Sequence, residues 1–155
     1  MLQTWLVTSF LWLSHLPVFS IEPVLPPPTP NPQRSPGDLC TEESDDFLEY
    51  RYEEQFPYCS RNVPYEVKNR IYEQYGVPEH LRGDYTIDHI IPLSIGGSNA
   101  VRNLWPEHKS IKAQRPELEY CLYLRVRDGE LSQREAVQIV LDAKFGRHWA
   151  CLVVK

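Results

Sequence analysis

Apolar positions change their spacing from segment to segment, and that spacing predicts the elements. In residues 64–75, PYEVKNRIYEQY, Val67, Ile71 and Tyr75 recur at every fourth position. This is one face of a helix, with Pro64 suited to its first turn and Gly76 to its end. Residues 84–91, DYTIDHII, alternate and are rich in β-branched and aromatic types, which predicts a strand. Pro92 and the adjacent Gly96 and Gly97 force a loop and turn. A second short strand is predicted at about residues 101–104, then a helix over about 106–125 that Pro116 must bend or split. Ser132 and Glu135 have capping-box spacing, followed by Ala136, Ile139, Val140 and Ala143, with Gly146 as the stop. The order helix, strand, loop, strand, helix, helix gives an α+β class with flanking helices, and no internal repeat is visible.

The ends of the chain read differently. Residues 1–20 carry no charged side chain but are too interrupted, at Ser9, Ser14, His15 and Pro17, for a comfortable membrane span. They are read as a secretory signal peptide, so no stable membrane insertion is expected once it is removed. Residues 21–36 hold seven prolines in sixteen positions and read as an extended linker, the N-terminal arm. Residues 37–56 form an acidic leading segment to which the pattern assigns no fold. The folded domain is expected over 57–146, with 147–155 as a C-terminal tail.

Charge and cysteine content refine this picture. The formal net charge is −5, which is unfavourable for a protein that meets nucleic acid. Between residues 37 and 56, however, eight acids face one base, whereas between 57 and 115 eight bases face six acids. The acidity therefore belongs to the leading segment, and modest, salt-sensitive binding of a polyanion is expected of the rest. Four cysteines at 40, 59, 121 and 151 lack CxxC spacing, so disulfides are favoured over a zinc knuckle. Three pairings are open. Cys59 with Cys121 is favoured because the helices they flank are expected to pack together. A secreted or periplasmic location and a monomer follow as expectations.

Candidate chemistry concentrates in residues 85–108, YTIDHIIPLSIGGSNAVRNLWPEH. Asp88 and His89 stand side by side near a strand end. A regular strand sends neighbours to opposite faces, so the break at Pro92 is expected to re-aim one of them. A carboxylate is a good ligand for a hard divalent cation, and a neutral imidazole takes a proton from water near pH 7. Hydrolysis of a phosphodiester needs such a base and a positive charge beside the phosphate.

The full string resembles the HNH nuclease family, whose core is two strands and a helix around one metal ion (the ββα-metal fold). The matching features are Asp88-His89, the Ile91-Pro92 pair, the Gly96-Gly97 turn with Ser98-Asn99, and Asn103-Leu104. Asn103 to Glu107, NLWPE, with the Tyr75-Gly76 helix end, resembles a branch of small exported bacterial HNH proteins. The resemblance implies a metal-dependent endonuclease in which Asp88 is a metal ligand, His89 the general base and Asn103 a brace for the loop holding the base. Many members place a final His or Asn nine residues after that Asn, where this chain has Lys112. His108 is then the nearest second ligand, ahead of Glu107 and Glu119, and Lys109, Lys112 and Arg115 are candidate phosphate contacts. One divalent ion, Mg²⁺, Mn²⁺ or Zn²⁺, is implied. The expected partner is nucleic acid, DNA ahead of RNA, with little sequence readout. Two other readings remain: a catalytically inactive HNH-fold binding module, favoured by Lys112, and an envelope interaction protein docking through its arm. Trp105 is read as core, and His80 and His148 as surface residues.

Overall fold

The computed structural model describes residues 29–151, so the expected signal peptide and most of the proline-rich stretch lie outside the described residues. The fold is α+β, with two separate two-stranded antiparallel sheets among helices. Strands β1 (Phe47–Arg51) and β2 (Phe56–Cys59) form the first sheet. Helix α1 (Tyr65–Gln74) and a 3₁₀ segment (Glu79–Asp84) lead to β3 (Tyr85–His89), which pairs with β4 (Leu104–His108). Short α2 (Lys109–Lys112), then α3 (Leu118–Arg127) and α4 (Gln133–Lys144), complete the order.

The β3–β4 hairpin divides the interior. Directly opposed residues share a face, so Ile87, His89 and Leu104 lie on one side and Asp88, Trp105 and Glu107 on the other. On the first side Ile87 and Leu104 pack with Ile71 of α1. On the second, Trp105 joins the larger core with Leu118 and Leu122 of α3 and Ala136 and Val140 of α4. Burying a side chain of this size stabilises by about 1.5–3 kcal/mol, so the larger cluster dominates the stability of this half.

Local signals place α1, β3 and α4 close to expectation. In α4 the capping box is complete: the Ser132 hydroxyl accepts from the Glu135 N–H, and the Glu135 carboxylate accepts from the Ser132 N–H. The second strand is displaced. Residues 101–103 form a 3₁₀ turn, and the strand runs Leu104–His108 across Pro106. The Ile90 N–H donates to the Asn103 carbonyl at 2.7 Å, which fixes the alternation of the ladder. Pro106, opposite Ile87, then falls at a non-hydrogen-bonded pair, where its missing N–H costs nothing. The expected long helix is therefore a strand, one turn of helix and α3, with Pro116 in the interruption.

Structure also begins earlier than Pro57. The acidic segment supplies β1, and Cys40 is bonded to Cys59. Within the described part of the expected linker, the Ser35 hydroxyl donates to the Leu104 carbonyl at 2.7 Å and accepts from Tyr75 at 2.9 Å. The second disulfide joins Cys121 to Cys151. The favoured Cys59–Cys121 pairing is thus incorrect. Helices α1 and α3 lie against opposite faces of the hairpin instead of packing together, which separates those two sulfurs. No helix among the described residues is long and apolar enough to cross a membrane.

Candidate functional site

The loop from β3 to β4 is held by one side chain. Asn103 is fully buried, and its amide donates to the carbonyls of Ile91 (2.9 Å) and Ser98 (2.8 Å). Its carbonyl oxygen accepts from the N–H groups of Ile91 (2.8 Å) and Asp38 (3.2 Å). All four positions of the amide are satisfied. Gly97 makes the closure possible: a Cβ there would stand 1.8 Å from the Ile91 carbonyl oxygen.

His89 closes β3 at the edge of this loop and is buried. Asn99 determines its tautomer. The Asn99 amide donates to the Ser60 carbonyl at 2.7 Å and to the Asp46 carboxylate, so its oxygen must face the ring. That oxygen lies 3.0 Å from Nε2, which therefore carries the proton. Nδ1 therefore carries the lone pair, which accepts from the guanidinium of Arg61 at 3.4 Å. Arg61, an exposed residue, also donates to the Ile87 carbonyl at 3.2 Å. Burial holds the imidazole below its ordinary pKa. The Asn99 bond and Asp88 oppose that shift, while Arg61 and Lys144 reinforce it. A neutral ring with an acceptor nitrogen beside an arginine is suited to taking a proton from a nucleophile at an anionic substrate.

Asp88 points to the other face, because β3 stays regular through His89 and the expected re-aiming does not occur. Its Oδ1 accepts from Lys112 at 2.8 Å and its Oδ2 from Lys144 at 2.6 Å. Burial opposes the charge on Asp88, but Lys144 and Lys112 outweigh it and hold the carboxyl well below the usual carboxylate range. The Lys144 ammonium also donates to the His89 carbonyl at 2.5 Å and to Glu119 at 3.1 Å. Glu107, on the same hairpin face, is bonded to Arg115. Its carboxyl is pushed up to about 7, chiefly by burial, with Asp88 adding to the shift against Lys144 and Arg115.

The candidates from sequence thus separate. Asp88, Lys112 and Arg115 gather around Glu107, and Asn103 braces the loop after His89. Lys109 turns away to donate to the Gly83 carbonyl. His108 lies opposite Tyr85, on the hairpin face that Asp88 does not share, and its Nδ1 is bonded to Ser110 at 2.7 Å. Register therefore prevents Asp88 and His108 from meeting at one ion. Among the described residues no group of three or more His, Cys, Asp or Glu side chains is arranged to hold a metal. The divalent ion implied by the resemblance is not accommodated by these side chains as they stand, since both oxygens of Asp88 are bonded to ammonium groups.

Three participants escape sequence reasoning. Arg61 reaches His89 only through tertiary structure and carries no local signal, and Asn99, though part of the Gly96-Gly97 turn motif, gives no sign in sequence that it binds the ring. Lys144 did carry one: Ala136 and Val140 are followed by Lys144 at the same spacing of four, which sets a lysine on the buried stripe. Compared with models of known families, with curated proteins and with solved structures, the chain has no significant match.

Proposed function

We propose that the chain is an exported HNH-like nuclease that cuts phosphodiester bonds of nucleic acid, with His89 as the general base. The observation that carries this reading is the fixed tautomer of His89, whose acceptor Nδ1 faces an exposed arginine. In the proposed step, Arg61 leaves the ring to hold the phosphate oxygens. Nδ1, then uncovered, takes a proton from the attacking oxygen as the new P–O bond forms and the old one breaks, and the leaving oxygen takes its proton from solvent. The β3–β4 hairpin followed by helix, with Asn103 closing the loop, supports comparison with the ββα core of the HNH family. Two disulfides support export to an oxidising compartment.

The test is cleavage of DNA and RNA by purified, disulfide-intact protein beside His89→Ala. Cutting that disappears in the variant supports the nuclease reading, and equal cutting by both proteins refutes it. The double capture of Asp88 by lysines favours a second reading, a nucleic-acid-binding module without catalysis. That reading predicts no cutting, binding that is unchanged in His89→Ala, and binding weakened in Arg61→Ala.

A further inference from the structure

The Asp88 corner has the donor set of a cation seat, and the seat is already filled from within the chain. Three oxygens converge on the Lys144 ammonium: Asp88 Oδ2 at 2.6 Å, the His89 carbonyl at 2.5 Å and Glu119 Oε1 at 3.1 Å. They come from β3 and α3, while the cation arrives from the last turn of α4. The Lys144 side chain is 1% exposed, so all three of its donors are committed to protein oxygens. On the outer side Lys112, 48% exposed, takes the other oxygen of Asp88. Around the corner the carboxyl groups of Asp88, Glu107 and Glu119 meet the basic groups of Lys112, Arg115 and Lys144 one for one. No carboxylate charge is left over to draw in a divalent ion.

We propose that Lys144 is the resident cation of this corner, standing where a divalent ion would otherwise bind, and that the centre works without metal. Its ammonium fixes the His89 carbonyl and Asp88 together, so it acts as a positioning residue for the base and does not touch substrate. The seat has hard oxygen ligands only, carboxylate and carbonyl, which are the donors that Mn²⁺ or Ca²⁺ accepts. Shortening Lys144 removes the competing charge and leaves those oxygens facing an opening. The claim of metal-free chemistry rests on the reading of His89 as base, whereas the claim about the seat does not.

The experiment is titration with Mn²⁺, followed by the paramagnetic signal of the free ion and by thermal unfolding. Wild-type protein is expected to leave the Mn²⁺ signal and its own midpoint unchanged. Lys144→Ala is expected to bind Mn²⁺ and to gain on the order of 5 °C in midpoint near saturation, a gain that adding Asp88→Asn abolishes. Uptake of Mn²⁺ by the wild type that Asp88→Asn removes would overturn the proposal, even if Lys144→Ala fails to fold. A folded Lys144→Ala that binds no Mn²⁺ would overturn it as well. In the cleavage assay, cutting that persists in EDTA supports metal-free chemistry, and cutting that requires added metal refutes it. Absence of any cutting would remove the nuclease reading, with the Mn²⁺ titration still deciding the seat.

Discussion

Asn99 fixes the tautomer of His89 by binding the ring nitrogen that does not face Arg61. Its amide is spent on Ser60 and Asp46, so only its oxygen is left for the ring, and the proton must lie on Nε2. Nδ1 then faces Arg61, and the charges around the ring are Arg61, Asp88 and Lys144. Arg61→Ala is expected to raise the His89 pKa, because a cation that disfavours the imidazolium is removed. An NMR titration of the ring checks this independently of activity. Stability has the opposite sense to that of a histidine with an anionic partner. The folded-state pKa is depressed, so the unfolded chain binds the proton first as pH falls. Stability present above the ordinary histidine range is lost through and below it. Urea unfolding across that range is expected to show the loss, and His89→Gln to diminish it.

At the scale of elements, the loop and the first sheet depend on different fastenings. Asn103 bonds four backbone groups, and Asn103→Leu would leave them unpaired at nearly the same volume. The expected cost is about 3 kcal/mol in urea unfolding, with cutting reduced because the loop after His89 loses its brace. The Cys40–Cys59 bond closes a separation of 19 residues, and its removal as Cys40→Ser with Cys59→Ser is expected to cost about 3 kcal/mol. Elements with self-contained signals were legible in sequence. Ser132 and Glu135 announce α4, and the spacing of Val67 and Ile71 announces α1. The second strand was legible in existence but not in position, because Pro106 reads as a helix start unless the ladder alternation is known. The disulfides depend on which face of the hairpin each helix covers, and no local pattern carries that information.

For the molecule as a whole, charge is distributed by sheet. The acidic segment folds into β1 and the turn beside it, on the sheet that carries Asp46 to Asn99, while Lys112, Arg115 and Lys144 gather beyond β3–β4. Most of that second group is spent on carboxylates, leaving Arg61 as the exposed cation at the base. A single phosphate contact through Arg61 corresponds to a log–log salt slope of about −1 for duplex DNA, the value expected in a binding titration. The Asp88-His89 pair was visible in sequence, but of the two lysines that claim Asp88 only Lys112 was singled out there. The other lies 56 positions away and meets Asp88 only after α4 has packed.

The central claim is that neutral His89 takes the proton, and the pH dependence of the initial cleavage rate tests it most directly. The rate is expected to hold near neutral pH and to fall in acid below the ordinary histidine range, with the fall moved to higher pH in Arg61→Ala. A wild-type rate that stays level into acid, or a His89→Ala protein that cuts as fast as the wild type, would contradict it.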